Sequence, residues 1–186
     1  MGFLDRLRAR GDHTSTSDYD VAGISSSKEQ KRIARFDEKH QVYHDLFIYP
    51  EDDFLSPTEE HLKMADGIVV VDKDDFGTNL LLKLKPMVDK PESIAPDEIQ
   101  ARKVWYKKML ARAEVGDLEG QYRQIWSIFT ILEDYFVFKS LRYQGPKKAF
   151  QYLEKYDPQT FLLFKEALFN MNSLEPLEKL IAHIVN

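Results

Sequence analysis

The chain changes character near residue 90, and that change limits it to two unlike parts. Before residue 90, short apolar runs are separated by charged or turn-rich pieces. After it, long stretches place apolar residues at the three- and four-residue spacing of helices. Asp18 to Ser25 predicts a strand ending near Gly23. Val42 to Tyr49 predicts a second, rich in β-branched and aromatic residues and stopped by Pro50. Gly67 to Val71 predicts a third. Between the first two, Ser26 to His40 is highly charged and reads as a solvated helix capped by Ser26 or Ser27. Lys28, Lys31, Arg32 and Arg35 would form its outer face. Thr58, with Glu59 and Glu60, opens a short helix to about Ala65. Gly77 to Val88, carrying Leu80, Leu81, Leu82 and Leu84, predicts another. Such alternation argues a small α/β domain over residues 1–90.

Lys90 to Pro96 contains two prolines and reads as a linker. Five helices are expected in 91–186, at about 97–114, 118–143, 146–156, 158–171 and 173–185. Gly116, Gly145-Pro146, Asp157-Pro158 and Ser173 separate them. In the second, Leu118, Tyr122, Ile125, Phe129, Leu132 and Phe136 fall on one face, and Trp126, Ile128, Ile131, Tyr135 and Phe138 add apolar surface elsewhere. A helix apolar nearly all round is expected at the centre of a bundle. Its 14-residue run Ile125–Phe138 contains Glu133 and Asp134. A membrane span needs about 20 apolar residues, so no membrane contact and a soluble cytoplasmic protein are expected.

Composition removes several chemistries. The 186 residues include no Cys, which excludes a disulfide scaffold, thiolate catalysis and Cys-type zinc sites. The five His residues, at 13, 40, 44, 61 and 183, have no zinc-like spacing. With 26 basic residues against 31 acidic, the chain carries −5, which argues against general nucleic-acid binding, where phosphate neutralisation supplies most of the affinity. Asp72, Asp74 and Gly77 have the start of a calcium-loop pattern, but Lys83 stands where that loop needs Glu, so the segment reads as a turn into a helix.

The chemistry-bearing stretch is Arg8-Ala9-Arg10-Gly11 through Ser17-Asp18-Tyr19-Asp20. Residues two apart on a strand point the same way, so Asp18 and Asp20 project together. Paired carboxylates repel unless a cation or proton lies between them, and an all-oxygen set suits Mg²⁺ or Mn²⁺. Asp45 is a third acid, set inside an otherwise apolar strand, where an ionised carboxylate needs a partner. A strand beside the first would bring it to the same cluster, with His44 on the opposite face.

These residues resemble the signature of the minimal nucleotidyltransferases of the DNA polymerase β-like superfamily. Arg8-Ala9-Arg10-Gly11, Ser17-Asp18-Tyr19-Asp20 and Asp45 match its parts, and Asp66 to Asp72 resembles that domain's last strand. The helical half, through Leu132-Glu133-Asp134-Tyr135-Phe136, looks like the substrate-side domain of kanamycin-type nucleotidyltransferases. Where the family has Gly-Ser, this chain has Arg6-Leu7. Arg6, Arg8 or Arg10 is then the candidate to hold phosphate.

The resemblance implies an α+β protein: a small mixed-sheet nucleotidyltransferase domain followed by a C-terminal helical bundle. It implies a two-metal transfer of a nucleoside monophosphate from an NTP, with ATP the expected donor, to a hydroxyl of a small molecule or protein. Asp18, Asp20 and Asp45 would be catalytic and metal-binding. Arg8, Arg10, Gly11 and Ser17 would bind the nucleotide. Glu133 would act as general base or substrate contact from an interdomain cleft, with Tyr135, Lys139, Tyr143 and Lys147 as further cleft candidates. The alternative for Glu133 and Asp134 is a solvated edge or pairing with Lys139 or Arg142. The alternative for the whole chain is a non-catalytic binding module, similar to antitoxin partners of helical HEPN toxins, with a homodimer or helical protein as partner.

Overall fold

In a computed structural model, residues 2–4, 18–90 and 94–186 are described. The chain divides into two compact units, Met1–Lys90 and Pro91–Asn186. The first is built on a five-stranded mixed sheet. Its strands are β1 (Gly2–Leu4), β2 (Tyr19–Ser25), β3 (Lys31–Asp37), β4 (Val42–Pro50) and β5 (Ile68–Val71), in spatial order β3-β4-β2-β1-β5. β2 and β4 run parallel, while β3 with β4, and β1 with both β2 and β5, are antiparallel. β1 was not anticipated from the sequence.

β3 corrects the expected helix at 26–40. Asp37 accepts hydrogen bonds from the backbone N–H of Lys39 and His40, and Gln41 turns the chain with φ 54°. This turn folds β3 back on β4 and gives each strand a ladder. The pairing outweighs the helical preference of Lys and Arg. Lys31, Arg32 and Arg35 therefore lie on a strand, and Arg32 and Arg35 do not share a face.

One sheet face carries the core of this unit. Ala22 and Tyr49 are buried there with Phe54, Leu62, Leu80, Leu81 and Leu84, and Ile24, Phe47 and Val69 pack against them. The short helix after β4 is a 3-10 helix, Glu59–Met64. Thr58 caps it through a reciprocal bond in which the Thr58 N–H donates to His61 Nδ1 at 2.9 Å. Burial lowers the pKa of His61, so the ring stays neutral and keeps that acceptor. Asp72 accepts from the N–H groups of Gly77 and Thr78 at 2.8 and 3.1 Å and anchors the start of α1 (Phe76–Val88). The segment is thus a turn into a helix. A Cβ on Gly77 would meet a Val69 methyl at 2.9 Å, so any larger residue here would force Val69 or the helix to shift.

The second unit contains α2 (Pro96–Ala113), α3 (Leu118–Phe138), α4 (Pro146–Tyr156), α5 (Pro158–Phe169) and α6 (Glu175–Val185). Pro opens α2, α4 and α5, where its missing N–H costs no helical bond. The core joins Tyr106, Ile128, Ile131, Tyr135, Leu153, Phe164, Leu177 and Leu180 from all five helices. α3 ends five residues before its predicted limit, because Ser140 turns left-handed (φ 53°) and the Leu141 N–H returns to the Phe136 carbonyl at 2.8 Å. The predicted all-round burial of α3 holds only in its C-terminal half, where Ile131, Leu132, Tyr135, Phe136 and Val137 are buried. Leu118 and Phe129 are 85% and 65% exposed, and Tyr122 and Ile125 are exposed with them. The buried face runs through Gln124, Ser127, Ile128, Ile131 and Tyr135 instead.

Asp157 joins α4 to α5. Its carboxylate accepts from the Tyr135 hydroxyl at 2.7 Å and the Thr160 N–H at 3.2 Å, and Lys139 lies at 3.4 Å. Partial burial works against the charge, but the Tyr135 and Thr160 bonds outweigh it and hold the pKa at about 2 instead of 3.8. A depressed carboxylate contributes stability above its unfolded pKa and loses it as pH falls through the folded value. This contribution, about 2 kcal/mol, should be present above pH 4 and fade toward pH 2. The stability gap between wild type and Asp157→Asn, measured by urea unfolding at several pH values, should close over that range. A gap that stays constant down to pH 2 would refute the assignment.

Candidate functional site

The parallel pairing of β2 and β4 decides where the acids go. Its register sets Tyr19 beside His44 and Asp20 beside Asp45. Register partners on neighbouring strands share a face and lie about 4.8 Å apart. Asp20 and Asp45 are therefore neighbours on the core-bearing face, two residues before Ala22 and Phe47 in their strands. They stand where the apolar core gives way to solvent: Asp20 is exposed and the Asp45 side chain is 18% exposed. Asp18 lies one residue ahead of β2 and is exposed.

Two carboxylates so placed need a cation, and the protein supplies one from β3. Arg32 Nε donates to Asp45 Oδ1 at 2.9 Å, and Nη2 donates to Oδ2 at 2.5 Å. The pair runs diagonally, because Arg32 is registered against Phe47 and Ala34 against Asp45. The Arg32 bond, with its charge and that of Lys63, holds the Asp45 carboxyl below the usual carboxylate range despite some desolvation. The Arg32 pKa is raised by its bond to Asp45 and by that charge, with Asp20 contributing.

Among the described residues, no group of three or more acids or histidines gathers as a metal centre. Asp20 and Asp45 are brought together; Asp18 does not complete a cluster with them. The donor chemistry nonetheless fits a hard divalent ion: carboxylate oxygens only, in register, at a solvent-open edge. The nucleotide-binding candidates Arg8, Arg10, Gly11 and Ser17, and the Arg6-Leu7 departure, lie outside the described residues. Arg32 is the site residue that sequence reasoning missed. The sign available for it was the polar turn ahead of Val42, which marks a hairpin and hence a strand at 31–37.

The opposite sheet face is different. Tyr19 and His44 stack there, with ring centroids 5.1 Å apart and planes 7° apart. With Val21, Ile33, Arg35 and Leu46 they line a shallow hollow of about 600 Å³. His44 thus faces away from Asp45, as the strand period requires.

In the helical unit, Glu133 is exposed and its neighbour Asp134 is buried. Asp134 accepts from the Tyr106 hydroxyl at 2.6 Å and from Arg102 Nη1 at 2.7 Å. Its partners are therefore on α2, and the expected pairing with Lys139 or Arg142 is corrected. Lys139 bonds Asp157 instead. Tyr135 is buried, with its hydroxyl on Asp157, and burial raises its pKa.

Among solved structures, one match spans almost the whole chain. It matches over 99% of this chain and 67% of its own, with 12% sequence identity and a TM-score of 0.45. The likeness is to a nucleotidyltransferase-like protein. That protein comes from Exiguobacterium sibiricum 255-15. No family model and no curated protein matches the chain. No helix among the described residues is long and apolar enough to cross a membrane.

Proposed function

We propose that the chain is a Mg²⁺- or Mn²⁺-dependent nucleotidyltransferase that moves a nucleoside monophosphate from an NTP, ATP being the expected donor, to a hydroxyl on a small molecule or protein. The observation that carries this reading is the register of β2 and β4, which sets Asp20 beside Asp45 at an open edge. Asp20 and Asp45 would hold the divalent cation, which would supply charge neutralisation for the triphosphate and lower the pKa of the attacking hydroxyl. Asp45 lies at the edge nearest β3 and helps deprotonate the acceptor there. The acceptor oxygen forms a bond to the α-phosphorus, the bond from that phosphorus to the bridging oxygen breaks, and pyrophosphate leaves. Incubation with α-labelled ATP, Mg²⁺ and a panel of hydroxyl acceptors should give a labelled product that disappears when Mg²⁺ is chelated. A panel of aminoglycosides and hydroxyl-bearing proteins that stays unlabelled, with no Mg²⁺-dependent ATP binding, would overturn the reading.

A second reading, a non-catalytic partner-binding module, draws on one observation: Arg32 already pairs the Asp45 carboxylate with two bonds. Thermal stability separates the two. A competent site is stabilised by ATP with Mg²⁺ through mass action, and a pure interaction module is not.

A further inference from the structure

The side chains beside the two acids form a second charged pair. Lys63, exposed on the 3-10 helix Glu59–Met64, has its Nζ 4.8 Å from the centroid of the Phe47 ring. The Arg32 guanidinium is 5.0 Å from the same centroid. Phe47 follows Asp45 by two residues on one face of β4, so ring, cations and acids form a single patch. The ring's π-electrons attract both cations. The Arg32 side chain is 64% exposed and can turn about its stem without disturbing the core.

The charges of this patch explain how it would respond to ligands. Arg32 and Lys63 balance Asp20 and Asp45. A divalent ion entering between the carboxylates competes with the guanidinium for the Asp45 oxygens, because both ligands use the same lone pairs. The guanidinium released from Asp45 then sits beside excess positive charge. Its planar fork matches phosphate oxygens as well as carboxylate oxygens.

We propose that Arg32 and Lys63, both against the Phe47 ring, are a polyphosphate-binding pair, and that Arg32 exchanges Asp45 for a phosphate when a divalent cation takes the carboxylate. The inference rests on the acid-site reading above and names the chain's own groups for the donor's phosphates. Its consequence is coupling. Metal binding releases the guanidinium that phosphate needs, so each ligand tightens the other, and metal alone has to displace a resident cation.

The test is calorimetric titration of the full chain with Mn²⁺ alone, and with tripolyphosphate in the presence and absence of Mg²⁺. Arg32→Gln should bind Mn²⁺ alone several-fold more tightly than wild type, while tripolyphosphate with Mg²⁺ should bind about tenfold more weakly or worse. Arg32→Lys should recover part of the tripolyphosphate affinity. Lys63→Ala, a change at an exposed site, should weaken tripolyphosphate and raise Mn²⁺ affinity less than Arg32→Gln does. Arg32→Gln weakening both ligands, or changing neither in a chain folded by circular dichroism, overturns the inference. Asp20→Ala separates the two levels. If it abolishes Mn²⁺ binding while the Arg32 and Lys63 variants titrate like wild type, the acid site stands and the phosphate pair falls. If the wild-type chain binds neither probe, both fall.

Discussion

Asp20→Ala should lower Mg²⁺-dependent nucleotidyl transfer by a factor of about a hundred to a thousand, with the melting curve in place. The magnitude follows from what one charged group contributes when it is aimed at developing transition-state charge. The two outcomes separate because of where Asp20 sits. It is exposed, at the end of β2, so truncating it opens no cavity. It also neighbours Asp45, and removing one of two adjacent carboxylates relieves repulsion in the metal-free protein. The fold should therefore tolerate the change, or gain slightly from it, while the cation site loses a ligand. The measurement is initial rate with α-labelled ATP beside a thermal melt followed by circular dichroism. Transfer at the wild-type rate would remove Asp20 from the site. An equal loss of rate and of melting temperature would make the residue structural.

The strands that were legible in the sequence are those whose residues fit a half-buried sheet by themselves. Val42 to Tyr49 and Ile68 to Val71 carry β-branched and aromatic side chains between turn residues. Asp45 was legible for the complementary reason: an acid within such a run requires a partner. β3 was not, since its two faces, Lys31-Ile33-Arg35 and Arg32-Ala34-Phe36, each mix charge with apolar surface, so no period of two stands out. It forms because β4 offers a ladder at the far side of a tight turn. Arg32's role depends on that register and could not be seen before β3 was placed. The helical second half follows from local periodicity, which needs no partner to be recognised, whereas the α+β class came with the family resemblance. The burial of α3 was misread because period alone gives which residues share a face, not which face meets neighbours. Leu118, Tyr122, Ile125 and Phe129 share one and are exposed, while Leu132 and Phe136, further along the same face, are buried.

Asp134→Ala should destabilise the helical unit by about 2–3 kcal/mol and lower its melting temperature by on the order of 10 °C. Tyr106 is fully buried, and its hydroxyl donates to Asp134 at 2.6 Å. Burial and that bond both push the phenol's pKa well above its usual value, so the proton stays on the tyrosine and the charge on the aspartate. Removing the carboxylate leaves a phenolic O–H inside the core short of an acceptor. Arg102 contributes less than its 2.7 Å bond suggests, because about a third of its side chain meets water and Glu98 offers it a second acceptor. Tyr106→Phe deletes the hydroxyl and leaves Asp134 its charge partner, so it should cost only about 1 kcal/mol. The double variant should be less destabilised than the two single losses added together, since the stranded hydroxyl is then gone. Urea unfolding of the four proteins measures this cycle directly. Strict additivity, or an Asp134→Ala chain that melts with wild type, would show that the Tyr106–Asp134 bond does not hold α2 to α3.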